Sequence, residues 1–269
     1  MGRAGGGRVL RRRGHVVAHV EGAATPDRRQ GQRGRAAGHR QIRPGGRGPA
    51  AAAAGWALAG ALGGLVSSTA TALSFSSRAR EAREQAPALA VGIVLASTVL
   101  YLRGAVVFSF MDRDLAVHLA PRLAALFAVG LAFAAVQYRR QQREGAGEIT
   151  LGNPVELGRA LALAAVFAGV ILLARVAREW LGTAGLWGVG LVGGLADVDS
   201  VAVAAARLRQ QELTTVQTAA GVYLLATVSN LVFKGTAVFL TAGAPMARLV
   251  LPAFAALAAA TAAMLLLWP

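Results

Sequence analysis

From Ala50 onward the chain is a succession of apolar runs separated by short polar clusters. A helix crossing a bilayer needs roughly 20 predominantly apolar residues. Runs of that length are Ala50–Phe75, Ala88–Phe110, Val117–Tyr138, Val155–Val176, Thr183–Ala206, Thr214–Thr241 and Ala247–Trp268. The pattern predicts an all-α fold, a polytopic membrane helical bundle of about seven spans with no soluble domain between them. Gly and Ala recur inside the runs, as close helix packing in lipid requires. Tyr138, Trp180, Trp187 and Trp268 fall toward predicted span ends, where aromatic belts form.

Composition agrees with that picture. Of 269 residues 55% are apolar and 15% charged, and the mean hydropathy is +0.51; a soluble domain runs near a quarter charged. Cysteine is absent, which excludes disulfides, thiolate metal sites and cysteine nucleophiles. The net charge of +15 is unevenly spread, because residues 1–50 carry 12 arginines against only Glu21 and Asp27. Residues 1–49 show neither helical nor strand periodicity and read as a disordered Arg/Gly-rich segment. They lack aromatics for base stacking and an apolar signal-peptide core, so no nucleic-acid partner is expected. Residues 50–269 form the membrane domain, whose partner is the lipid bilayer, with a homo-oligomer left open.

An internal repeat lies within that domain. GWALAGALGGL (55–65) returns as GLWGVGLVGGL (185–195), a shift of 130 residues. Each Gly-Gly precedes a polar pair, Ser67 and Thr69 in one copy, Asp197 and Asp199 in the other. LASTVLYLRGAVVF (95–108) then resembles LATVSNLVFKGTAVF (225–239), which pairs Arg103 with Lys234 and Thr98 with Ser229. The copies cover about residues 50–138 and 155–268. Four crossings separate equivalent spans, so the duplication is expected to be parallel. A four-span unit would need one more helix before Gly55, and residues 1–49 cannot form it, which points to a mistranslated or misplaced start.

GGLVSSTATALSFSSRAR (63–80) resembles the membrane domain found at the C-terminal end of many MgtC/SapB-family proteins, a multi-span domain of unknown function. LGNPVELGRAL (151–161), GGLADVDSVAV (193–203) and the span bearing Asn230 and Lys234 resemble later parts of it, so the resemblance covers about residues 55–241. It implies a membrane address and magnesium-linked transport. It also implies an Asn-Pro-containing helix before the first Gly-Gly, absent here along with the smaller N-terminal MgtC-type domain.

Candidate chemistry lies in the fifth and sixth spans. Asp197 and Asp199 interrupt an apolar run, and ionisable residues at membrane depth face a cavity or a partner. A break at Gly193-Gly194 would free backbone groups and expose a half-helix N-terminus. Asp197, Asp199, Ser200 and Asn230 offer oxygens to a hard divalent cation as substrate, with Asp197 and Asp199 the metal candidates and no resident cofactor. The alternative is helix capping by Asp197, with Ser67 doing the same in the first copy. Tyr223, Thr227, Asn230 and Lys234 share one helical face, and Lys234, the only lysine, is expected to pair with Asp197 or Asp199. For Arg103, as for Lys234, the competing reading is snorkelling to the headgroups. Asn153-Pro154 with Glu156 reads as a helix start, and Asp112, Asp114 and His118 as a solvated loop. Neither a phosphate loop nor a catalytic triad is present, so no enzyme is expected. Nine loop arginines on one side (78, 80, 83, 139, 140, 143, 159, 207 and 209) against five on the other (113, 122, 175, 178 and 248) put the first side and the C-terminus in the cytoplasm of a cell-membrane protein. A transporter-like bundle for an ion or small solute is the expected function; the alternative is a non-transporting regulator or scaffold.

Overall fold

A computed structural model of the chain describes residues 49–141 and 157–267. The Arg/Gly-rich segment and the Asn153-Pro154-Glu156 helix start lie outside the described residues. Six α-helices follow in order: α1 (Pro49–Glu81), α2 (Ala86–Met111), α3 (Arg113–Gln141), α4 (Leu157–Ala196), α5 (Val198–Gln210) and α6 (Val216–Leu267), with a 3-10 turn at Arg83–Gln85. Among the described residues, four segments are long and apolar enough to cross a membrane: Ala53–Glu81, Arg83–Met111, Arg113–Gln141 and Val216–Leu267. Large apolar side chains cover the outside, including Val66 at 73%, Trp180 at 82% and Phe110 at 87% exposure. Leaving that much apolar surface in water forfeits the main drive to fold, whereas hydrocarbon tails accept it. This is a membrane protein.

Local sequence explains the boundaries. Pro87 sits in the first turn of α2, where a missing N–H is harmless. Asp112 ends α2 in an extended conformation and caps α3, its Oδ1 accepting from Leu115 N–H at 2.9 Å. His118, expected in a loop, therefore lies inside α3.

The main departure from expectation is at Ser67. Its backbone (φ −160°, ψ 109°) interrupts α1, and the helix turns back on itself. Trp56 stacks edge-on against Phe75 with ring centroids 5.4 Å apart, and the Arg78 guanidinium lies 4.9 Å over the Trp56 ring. In a straight helix Trp56 and Phe75 would be about 28 Å apart at roughly 1.5 Å per residue. The two legs, 49–66 and 68–81, have lengths of about 27 and 21 Å. So α1 is a helical hairpin that enters and leaves at one end of the bundle. The end of α4 and α5 form its counterpart around Asp197 (φ −161°, ψ 122°). Leu186 and Val189 share one small apolar pocket with Val201, Ala204, Ala205 and Leu208. The expected first and fifth spans are therefore each folded back on themselves as a hairpin.

The two hairpins point in opposite senses. The first leg of α1 runs alongside α2 in the same direction, with Gly60 against Gly92 and Gly64 against Ala96. The last leg of α4 runs in the same way along α6, with Gly190 against Val222 and Gly194 against Ala226. Yet α2 and α6 are antiparallel to each other. Leu100 and Asn230 line one cavity, whereas Phe108 and Tyr223 stack at 4.9 Å. From the cavity to that aromatic pair, α2 runs forward and α6 backward. Accordingly α5 ends beside the α2–α3 junction, where Arg209 Nη2 meets Asp114 Oδ2 at 3.3 Å and Gln210 Nε2 donates to Met111 O. The parallel arrangement expected from span counting is inverted, because two presumed crossings turn back.

Gly182 (φ 61°, ψ −143°) divides α4, and Gly243 (φ 77°, ψ −177°) divides α6. Both conformations are nearly closed to residues bearing a Cβ. At Gly243 the 52-residue α6 reverses, so that Gly235 faces Leu251. Gln137 Nε2 then bonds Leu249 O at 2.5 Å, fixing the second leg of α6 beside the end of α3. The core under these elements is built from Leu89, Ile93, Leu115, Leu119, Leu126 and Leu257, all fully buried.

Candidate functional site

Breaking a helix frees one carbonyl behind the break and N–H groups ahead of it. The carbonyls of Gly64 and Gly194 lose their i+4 donors in this way, and each is met from the neighbouring helix. Arg103 Nη1 on α2 donates to Gly64 O at 2.9 Å. Asn230 Nδ2 on α6 donates to Gly194 O at 2.9 Å, with Ser229 Oγ donating to Leu191 O one turn away at 2.5 Å. Ahead of the breaks, Ser67 Oγ accepts from Ala70 N–H at 3.2 Å, and Asp197 Oδ2 accepts from Ser200 N–H at 2.7 Å. Ser67 and Asp197 are both N-caps. The break expected at Gly193-Gly194 thus falls at the capping residue, while the glycines let backbones touch: a Cβ on Gly194 would collide with the Ala226 backbone.

The two tips come together around one cavity, with Val66 beside it still facing the outside. Between them lies a cavity whose volume open to the centre of a water-sized sphere is about 20 Å3, bordered by Ser67, Ser68, Thr69, Arg103, Asp197, Asp199 and Asn230 with Val66, Leu100 and Val198. That is room for about one water. Arg103 forms an ion pair with Asp199, its side chain retaining 21% exposure. Lys234 is buried at 1%, and its Nζ donates to Ser68 Oγ at 2.7 Å.

Residues 50–242 match the family model described as a domain of unknown function, DUF4010. The chain belongs to that family. An uncharacterized protein of Aquifex aeolicus (strain VF5) is 27% identical over 183 residues, covering 66% of this chain and 78% of the relative. No solved structure matches. The DUF4010 match takes in both hairpins and the first leg of α6, and stops at the Gly243 reversal. Every residue of the cavity lies within it.

The DUF4010 geometry rearranges the expected partnerships. Lys234 was expected to pair with Asp197 or Asp199. Instead Asp199 is taken by Arg103, and no carboxylate of the described residues lies within ion-pairing distance of Lys234. Neither cation snorkels. Arg103 on α2 reaches Asp199 at the second hairpin, and Lys234 on α6 reaches Ser68 at the first. Thr227 is buried but bonds Leu224 O of its own helix at 2.7 Å, so it does not enter the cavity. Thr69 borders the cavity, as do Asp197 and Asp199. Among the described residues no cluster of three or more His, Asp or Glu could hold a metal, and both Asp side chains already have partners. Ser68 was missed by sequence reasoning; its place in the SSTAT string after the first Gly-Gly was the available signal.

Proposed function

We propose that this DUF4010 protein moves a small ion or solute across the cell membrane, with the paired hairpin tips as its binding centre. The observation that carries the reading is the meeting of two re-entrant tips, from opposite ends of the bundle, around a charged cavity. Broken backbone at membrane depth is tolerated where it is buried in protein or lines a water-filled path, and secondary transporters build their midplane sites from such breaks in inverted repeats. The 130-residue offset between Ser67 and Asp197, with Gly60/Gly92 and Gly64/Ala96 mirrored by Gly190/Val222 and Gly194/Ala226, supports an inverted internal duplication. On this reading the seven apolar runs are five crossings and two re-entrant hairpins. Arg207 and Arg209 then leave the more basic side, and the α6 terminus lies opposite it. The side with Arg80 and Arg139 remains our cytoplasmic side, which places the C-terminus outside. The MgtC/SapB resemblance and its magnesium link belong to this proposal, although carboxylates already engaged by Ser200 and Arg103 suit a divalent ion poorly. No enzymatic reaction is assigned.

A second reading has its own support: the break carbonyls and Lys234 are all hydrogen-bonded, as a dry scaffold would require. Cysteine substitution separates the two, and the cysteine-free chain gives no background. Thr69→Cys and Val198→Cys should react with a membrane-impermeant thiol reagent in intact vesicles. If both stay unreactive from either side while surface cysteines label, the transport reading fails and the scaffold stands.

A further inference from the structure

We propose that the cavity between the tips binds one small monovalent cation of the sodium class, an inference that names the ion of the site just described and rests on that reading. Three independent observations converge on it. The first is an unsatisfied acceptor. Asn230 is only 2% exposed and borders the cavity, and because Gly194 O can only accept, the amide must turn its NH2 that way. Its Oδ1 is thereby left with no hydrogen-bond partner. A buried acceptor without a donor is costly, and what satisfies it must be a donor or a cation, never an anion.

Charge gives the valence. The residues bordering the cavity include two acids, Asp197 and Asp199, and one base, Arg103. Arg103 is committed to Asp199 and to Gly64 O. Asp197 has no ion pair among the described residues, and only its Oδ2 is used, by the N–H and the hydroxyl of Ser200. The border itself carries one negative charge that no ion pair cancels, and Lys234, resting on Ser68 just behind it, brings the centre as a whole to neutrality. A monovalent cation leaves the centre with one excess positive charge and a divalent cation with two, so the lower charge costs less in low dielectric. Size is the third observation: about 20 Å3 admits a single ion of water-like dimensions. The ligands on offer are all hard oxygens, from Asp197, Asn230 and the hydroxyls of Ser67 and Thr69, which suit an alkali cation. Lys234, four residues beyond Asn230, does not border the cavity; its ammonium rests on Ser68 Oγ and opposes the incoming charge.

The test is thermal unfolding of the full chain in detergent, which needs no transport and so can fail or succeed apart from the thiol-labelling result. Sodium chloride should raise Tm saturably above choline chloride at equal ionic strength, and magnesium chloride should give no gain beyond choline. Asp197→Ser keeps a capping oxygen, as Ser67 does in the other hairpin, and should abolish the sodium response. Lys234→Met removes the opposing charge and should lower the sodium concentration for half effect. If sodium and choline are indistinguishable in the wild type, or magnesium stabilises more than sodium, the cation site is overturned. It is equally overturned if folded Asp197→Ser keeps the full sodium response, and the wild-type comparison decides alone should that variant not fold.

Discussion

Arg103→Met removes two things at once, the partner of Asp199 and the donor to Gly64 O. Stranding one member of a buried ion pair costs roughly 3–5 kcal/mol. An orphaned buried carbonyl adds about 1–3 kcal/mol. Because the Arg103 side chain keeps 21% exposure, the lower ends apply, and the single change should cost about 4 kcal/mol. Asp199→Asn leaves the guanidinium on Gly64 O and partly exposed, so about 2 kcal/mol is expected for it. In the double variant no charge is stranded and only the carbonyl term persists, about 1–2 kcal/mol. The two changes should therefore couple by roughly 4 kcal/mol in the favourable direction. Denaturant unfolding in detergent, followed by tryptophan fluorescence, measures all four corners of the cycle. Costs that simply add within about 0.5 kcal/mol would mean that the pair does not exist as described.

Two further outcomes follow from the hairpins. Gly64→Ala and Gly194→Ala push a methyl into the backbones of Ala96 and Ala226, which cannot yield, and each should cost about 1–3 kcal/mol. Gly188→Ala, with nothing within 4 Å of its added carbon, should stay within about 0.5 kcal/mol in the same unfolding assay. Cysteines replacing Arg113 and Arg209 should label from one side of sealed vesicles and a cysteine replacing Arg80 from the other. Arg209 labelling together with Arg80 would restore the uninterrupted fifth span.

The apolar runs were legible because bilayer thickness sets their length and the boundaries need only short polar clusters. What the runs conceal is whether a stretch of some 26 residues crosses once or folds back, since both outcomes bury the same composition in the same solvent. The break was misplaced for a related reason. Glycine weakens a helix in water, so Gly193-Gly194 looked like the weak point, yet here the pair is spent on close contact with α6. The reversal needs a side chain that accepts its freed N–H groups, and Asp197 and Ser67 supply it. Lys234 was read correctly as facing inward, because Tyr223, Thr227 and Asn230 make its face polar. Its partner was not readable, because Ser68 meets it only once α1 has turned back. Arg103 looked like a surface cation for the same reason: Ala96 and Val99 give its face no polar company, and its partners come from two other elements.

The cavity owes its chemistry to the way its two halves differ. In each unit the helix beside the hairpin carries one base, and each base reaches the tip of the other hairpin: Arg103 to Asp199, Lys234 to Ser68. Had the tips been alike, both bases would find carboxylates or both would find hydroxyls, and the centre would be either fully paired or strongly positive. Instead Ser67, Ser68 and Thr69 face Asp197, Val198 and Asp199. One ion pair forms, and one base and one acid remain, Lys234 with a hydroxyl and Asp197 with its own helix N–H. Those two residues stand on different elements, α6 and the second tip, so any shift of one hairpin against α6 changes the field between them. Leftover charges in low dielectric cost stability, and the proposed transport role would give that cost a purpose.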